Sequence, residues 1–426
     1  MAEPYPKLGE EELLVTVNST APPTRKKQMP EGKSPYQSDL HRNKETMTLL
    51  DPYLDWAEAQ GIPLHLDFGH DLLALKTEPW GFYEARGCFA HTHGRGDFMA
   101  CYVLEVPPGG KTKPVNHLYE AFFFTLAGHG STTVWMPTGE KRTFEWGPRA
   151  LFAIPLNCKY QIFNGSGTEP TRLSCTNDLP MTMNLFHNPE FIFNNDYPFP
   201  ERTGDKNHFD GEGTHIPVRA GTNMWETNYV PDLTNFELKA LEARGKGSMN
   251  MAFILADGTV HAHSSEIPKG RYKKAHRHAA GTHVHAITGE GYSLLWYPGD
   301  SEFVEIPWRH GIMYTPPFWM FHQHFNTAPK PARYFACSLG SRRYPIISLR
   351  RNSGAGLGST SVSKGGRQIE YEDQDPRIHR KWLEAIAKNG VTSEMGDTFD
   401  EAAIMKLPKE KLTGTIHMPM ILDNVS

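Results

Sequence analysis

One unit of sequence occurs twice in this chain, about 160 residues apart, and that repeat constrains the fold more than any other feature. Near residue 110 the chain reads PGGKTKPVNHLYEAFFFTLAGHGSTTVW, and near residue 270 it reads PKGRYKKAHRHAAGTHVHAITGEGYSLLW. Each copy runs from a glycine through five residues to a polar cluster. An apolar strand, Gly-X-Gly and a second strand ending in Trp follow. Downstream, FAIPLNCKYQIFNGSG matches YTPPFWMFHQHFNTA. The 426 residues suit two similar domains with connecting segments.

The type of domain follows from punctuation. Glycine (38) and proline (33) break the chain into short apolar-aromatic stretches, among them Cys101–Val106, Ala121–Leu126, Gly291–Tyr297 and Phe303–Ile306. Such a chain reads as all-β dominated. Helical signals lie outside the repeats. Thr46–Gln60 reads as a helix stopped by Gly61. Asp375 then Pro376 reads as an N-cap and first-turn proline, with Ile378, Trp382 and Ile386 on one face and Gly390 as the stop. That face is expected to pack on a barrel or a partner chain. Ser353–Gly366, rich in Gly and Ser, is expected to be a loop. The boundaries expected are an arm with a helix over 1–75, domains over 76–195 and 236–350, a linker over 196–235, and a loop with a helix over 351–426.

Composition excludes several classes. With 38% hydrophobic and 22% charged residues the chain suits a globular core, and a net charge of −4 without a long basic run argues against nucleic acid. The five cysteines are scattered and form no CxxC pair, which argues against a disulfide framework and a finger-type zinc site. The acidic start MAEPYPKLGEEELL does not read as a signal peptide, and no apolar run approaches the roughly 20 residues that span a bilayer. A cytoplasmic protein without a membrane partner is expected.

The repeats resemble the cupin superfamily. Gly270, five residues, His276-Arg277-His278 and then Gly289-Glu290-Gly291 match its first motif. Gly311, five residues, Pro317, His322 and Asn326 match its second, with Trp319 at the inner glycine. The resemblance implies two double-stranded β-helix (jelly-roll) barrels with flanking helices at the N- and C-termini, a bicupin. Residues two apart on a strand face the same way, so His276 and His278 project together, and His322 joins them from a later strand. Three imidazoles around one divalent ion leave positions open, which suits catalysis. Thr282 stands where most cupins carry a glutamate ligand. A one-residue shift in register would make His283 a fourth ligand; without it, His283 and His285 face outward, to the surface or an interface. In the first repeat Asn116, Leu118, Ala121 and Tyr160 stand at the ligand positions. That barrel is therefore expected to be metal-free and to serve structure, dimerisation or pocket walls.

The segments HRHAAGTHVHAITGEG and PPFWMFHQHFN also resemble bicupin ring-cleaving dioxygenases of the gentisate, salicylate and hydroxynaphthoate type. This resemblance implies one iron(II) per chain, dioxygen, and a small anionic aromatic substrate, with manganese, nickel and zinc as the other candidate metals. Val284 stands where that family often places a substrate-holding arginine, so Arg342 and Arg343 are candidates to hold the carboxylate. His324 shares parity with His322 and is a candidate to orient a ligand or move a proton. Thr282, Val284, Trp319 and Phe321 are candidate pocket walls. A second reading is non-oxidative metal chemistry (decarboxylase, lyase, isomerase or hydrolase). A third is a non-catalytic binding protein. A homodimer or higher homo-oligomer is expected.

Overall fold

The computed structural model describes residues 50–219, 222–279, 281–300, 302–341, 343, 344, 346, 357–407 and 415–417. The chain divides into two compact units, Met1–Leu50 and Asp51–Ser426, and the architecture below is that of the second.

One strand plan occurs twice. In the first barrel Ala85–Thr92, Ala100–Val106, Thr171–Asn177, Ala121–Ala127 and Leu151–Ile154 lie side by side in that order. Facing them is a sheet of Lys159–Asn164, Gly130–Trp135 and Lys141–Trp146, extended by bridges from Lys111 to Phe163 and from Val115 to Tyr160. In the second barrel the order is Met249–Leu255, Val260–Ile267, Ala332–Leu339, His283–Thr288 and Ile312–Tyr314. Its facing sheet is Phe321–Asn326, Gly291–Trp296 and Phe303–Trp308, extended by bridges from Tyr272 to Phe325 and from His276 to His322. This is the jelly-roll order, and the chain has the bicupin fold: two cupin barrels.

The larger sheets pack back to back. The Ala121–Ala127 strand is apolar along its length because both of its faces are buried. Phe123 fills its own barrel, while Phe122 and Phe124 enter a core shared with Phe253, Phe335 and Cys337 of the second barrel. The rings of Phe124 and Phe335 are 4.6 Å apart. All five cysteines are free and buried.

Two segments clasp the barrels reciprocally. Leu64–Asp67 pairs in parallel with the first barrel's Ala85–Thr92, and Gly69–Asp71 then pairs with Ile312–Tyr314 of the second. Thr222–Thr227 pairs in parallel with Met249–Leu255, and Tyr229–Val230 then pairs with Leu151–Ile154 of the first. The span expected as a linker, 196–235, thus includes strands of both barrels, as does the end of the expected arm.

The outer sheets differ. In the first barrel Gly130–Trp135 and Lys141–Trp146 alternate between the core and more accessible positions. In the second, the helix Pro376–Lys388 covers that face with Ile378, Trp382 and Ile386, and the Trp382 Nε1–H donates to Asn326 O at 2.9 Å. Its signals act as expected: the Asp375 carboxylate accepts from Arg377 N, and Gly390 follows the helix with φ +65°. The N-terminal helix is shorter than expected, Pro52–Ala59, because Asp51 caps it and Pro52 occupies its first turn; 46–49 lie outside the described residues. Of the expected loop, 353–356 lie outside the described residues, and Leu357–Ser359 and Val362–Lys364 are 3-10 turns. Among the described residues no helix is long and apolar enough to cross a membrane.

Candidate metal centre

The second barrel's inner face brings three histidines together. His276 and His322 are direct partners on adjacent strands, and their Nε2 atoms are 3.1 Å apart. One ligand atom from each of His276, His278 and His322 lies within 4.8 Å of the others. Metal–nitrogen bonds of about 2.1 Å meeting at right angles place neighbouring nitrogens about 3 Å apart, so the spacing suits ligands on one ion. The outer nitrogens fix the tautomers. His278 Nδ1–H donates to Ala279 O at 2.8 Å, and His322 Nδ1–H donates to Met320 O at 3.3 Å. Each then turns a bare Nε2 to the centre, as ligating histidines do. Burial holds His276 and His322 well below the usual imidazole value, hence neutral. Among the described residues, His276 Nδ1 is buried without a hydrogen-bond partner. The donor set fits one divalent metal ion.

Local backbone explains the aim of these rings. Gly270 turns the chain into the ligand segment at φ +68°, where a Cβ would meet Thr392 O at 2.7 Å. Trp319, at the motif's glycine position, adopts φ +60°, a conformation costly for a bulky residue, and its N–H donates to His278 O at 3.2 Å. Its ring stands 4.7 Å from the Arg367 guanidinium and 5.6 Å from that of Arg277.

The other candidates separate by face. His324 lies inside, its ring 5.5 Å from that of His322 and 6.1 Å from that of His276. Its Nδ1 is 2.8 Å from both the Ser293 and Tyr314 hydroxyls, and its ring stacks on Trp308 at 5.5 Å. Thr282 keeps its hydroxyl 3.4 Å from His278 Nδ1. Val284 is buried in the inner core with Ile306 and Tyr314. Phe321 departs from expectation. It pairs with Trp296 on the outer face, under the C-terminal helix, because it alternates with the inward His322. His283 is not a fourth ligand here. It pairs with Cys337 on the seam between the barrels, and its Nδ1 lies 3.2 Å from Gly281 O. His285, on the same face, stacks on Phe335 at 4.4 Å and reaches Thr176 Oγ1 of the first barrel at 3.1 Å. Arg343 is also displaced. Glu226 and Asp257 each hold it at 2.5 Å beside a surface cavity of about 460 Å³, away from the histidines. Arg342 lies outside the described residues.

Lys273, which sequence reasoning missed, sits inside near the triad. Its Nζ donates to Tyr334 Oη at 3.2 Å and lies 4.9 Å over that ring, and burial lowers its pKa. Three residues before His276, it carries no motif signal.

The first barrel corrects an alignment. Val115 pairs with Tyr160 as His276 pairs with His322, so Val115 and His117, not Asn116 and Leu118, stand at the first two ligand positions. Asn116 instead donates to Asn157 Oδ1 and Asn195 O, both at 3.0 Å. His117 Nε2 lies 3.0 Å from Tyr160 Oη, which continues to Tyr83 at 2.7 Å and Tyr102 at 2.5 Å. Burial pushes His117 down to about 3.

Comparison with known proteins adds likeness of shape. No protein-family model matches the chain. A stretch of 93 residues, 20% of this chain, is 29% identical to the hybrid PKS-NRPS synthetase gkaA of Penicillium citrinum, and spans 2% of that protein's length. Among solved structures, a variant of Bacillus subtilis oxalate decarboxylase is 13% identical, with TM-score 0.43, covering 67% of this chain and 80% of that one. Salicylate 1,2-dioxygenase from Pseudaminobacter salicylatoxidans is 14% identical, with TM-score 0.41, covering 57% and 71%. Vicilin from hazelnut, Corylus avellana, is 10% identical, with TM-score 0.40, covering 64% and 85%. The architecture rests on the strand order and register above, not on these likenesses.

Proposed function

We propose that the second barrel is the active site of a mononuclear non-haem iron(II) dioxygenase that cleaves a hydroxylated aromatic acid or phenol. One observation carries this reading: three histidines converge with no carboxylate among them in the described residues. A divalent ion held so keeps its full charge and favours an anionic, chelating partner. Iron(II) in such a site supplies open positions for substrate oxygens and for dioxygen. The chain's own groups supply the rest. Lys273 sets a buried amine inside the barrel, a hydrogen-bond donor for a substrate oxygen. His324, its Nδ1 engaged by Ser293 and Tyr314, keeps Nε2 as the atom that takes or returns a substrate proton. Trp308 and Tyr334 flank His324 and exclude water.

The test is metal analysis of protein purified without oxygen, with His276→Ala as control, followed by oxygen-uptake assays on hydroxylated aromatic acids. Near one iron per chain, lost in the variant, together with oxygen uptake on one of these acids, is the expected result. Manganese, nickel or zinc in place of iron, with no oxygen uptake after iron reconstitution, would replace this reading with non-oxidative chemistry. No metal after reconstitution would leave a binding protein.

A further inference from the structure

The ligand segment of the second barrel has a neighbour on its far edge. A strap from the C-terminal region runs beside it: Arg277 N donates to Arg367 O at 3.0 Å and Ile369 N to Ala275 O at 2.9 Å. In that register Gln368 is the direct partner of His276, as His322 is on the other side. Directly paired residues project to the same face of a sheet, so His322, His276 and Gln368 stand side by side facing inward. Gln368 is fully buried. Its amide is oriented by what surrounds it. The Nε2 donates to Ala243 O at 3.2 Å and Glu370 Oε1 at 2.9 Å, and the Oε1 accepts from Arg244 Nη1 at 3.0 Å.

Arg244 is the unusual member. Its backbone lies on the half-exposed turn Glu242–Arg244, while its guanidinium reaches inward and loses enough water to bring it down to about 10. The nearest carboxylate, Glu370, pairs with Lys274 and accepts from Gln368, so only its field reaches Arg244. Its charge is felt by His276, His322 and His324 alike. A half-buried guanidinium with no ion pair among the described residues is free to serve a ligand. A guanidinium also has five donors in a planar fork, and Gln368 engages one of its nitrogens.

We propose that Arg244 receives the oxyanion end of the substrate, a carboxylate held in the guanidinium plane while the metal takes the adjacent oxygen, and that Gln368 is the positioning residue that aims it. This rests on the reading of the triad as a metal site with open positions. It also moves the carboxylate anchor from the expected pair Arg342 and Arg343 to Arg244, on a turn before the barrel's first strand.

The experiment loads the full chain with cobalt(II) and follows its visible absorption while titrating 2-hydroxybenzoate or phenol, which differ by the carboxylate. Arg244→Met is expected to weaken 2-hydroxybenzoate about tenfold or more and leave phenol unchanged, with cobalt content intact. Arg244→Lys keeps the charge and should retain part of the preference for the acid. Gln368→Ala should lose several-fold on the acid alone. Gln368→Glu, which neutralises Arg244, should resemble Arg244→Met. Equal affinity for 2-hydroxybenzoate in Arg244→Met and the unaltered protein overturns the proposal. So does loss of cobalt, or of both ligands, in both Arg244 variants, which would make the arginine structural. Unaltered protein that takes up no cobalt sinks the metal-site reading itself, and the proposal with it.

Discussion

The two barrels share one frame and differ in what fills it. Tyr160 and His322 sit at equivalent places, as do Val115 and His276, and His117 and His278. In the first barrel the groups at the ligand positions are tied to their neighbours: His117, Tyr160, Tyr83 and Tyr102 form a continuous hydrogen-bonded chain. In the second, among the described residues, His276 Nδ1 has no partner, two imidazole Nε2 atoms face each other, and buried Lys273 and half-buried Arg244 have no ion pair. Burying a polar or charged group without compensation costs several kcal/mol by order of magnitude, so the second interior suits a barrel completed by a ligand. A few side chains, rather than the fold, decide which interior is closed and which is a site.

The largest effect should come from breaking the triad. His322→Ala is expected to lower metal affinity at least about 100-fold, since one of three protein ligands is removed, while His117→Ala leaves metal content unchanged. Elemental analysis after dialysis against a chelator decides between them. Equal loss in both variants would place a metal in the first barrel too.

The tyrosine chain offers the matching cut on the other side. Tyr160→Phe leaves the frame but strips a partner from His117 Nε2 and Tyr83 Oη. It should destabilise the protein by about 1–3 kcal/mol in denaturant titration without altering metal content. No loss of stability would mean that the chain does not hold the first barrel together.

Most of this contrast was legible in the sequence, for a definite reason. Parity along a strand is rigid, so the repeat and the His-X-His spacing located the inner face; the same rule offered His283 and His285 as outward-facing, at the surface or an interface, while a shift in register kept His283 open as a ligand. Applied to Phe321, which alternates with His322, it would have excluded that residue from the pocket. The alignment of the first repeat slipped by one residue because no histidine pair anchored it. Lys273, Arg244 and Gln368 were not legible: they reach the site from irregular segments and a strap whose pairing leaves no periodic trace. Arg343 fitted by position only, and its partners Glu226 and Asp257 are remote in sequence.

The seam itself carries a pH dependence of intermediate size. Glu120, at the end of the first barrel's ligand segment, accepts from Thr259 N at 2.8 Å and Val260 N at 2.6 Å of the second barrel. Its N–H donates to Asp178 at 2.7 Å. Burial first, and the Glu120 charge second, push the Asp178 carboxyl up to about 8. The unfolded chain releases this proton near 3.8 and the folded chain near 8, so stability falls as pH climbs between those values and levels off above. Asp178→Asn keeps the acceptor for Glu120 N–H and should flatten that slope in melts from about pH 5 to about pH 9. An unchanged slope would assign the dependence to other groups.

The smallest effect concerns Trp319, the residue at the second motif's glycine position. It holds φ +60°, which costs an L-residue roughly 1–2 kcal/mol that glycine does not incur. Against this stand its ring contacts with Arg277 and Arg367, each worth about 0.5–1 kcal/mol at such sites. The two terms nearly cancel, so Trp319→Gly should change global stability by less than about 1 kcal/mol. Its effect should appear instead at the ligand strand, because Arg367 belongs to the strap that pairs with His276 and Trp319 N–H bonds to His278 O. Hydrogen exchange is expected to quicken at Arg277 and Ile369, whose N–H groups join strap and strand, while exchange across the first barrel stays the same. Unchanged protection at those two amides would mean that the strained tryptophan does not help seat the strap.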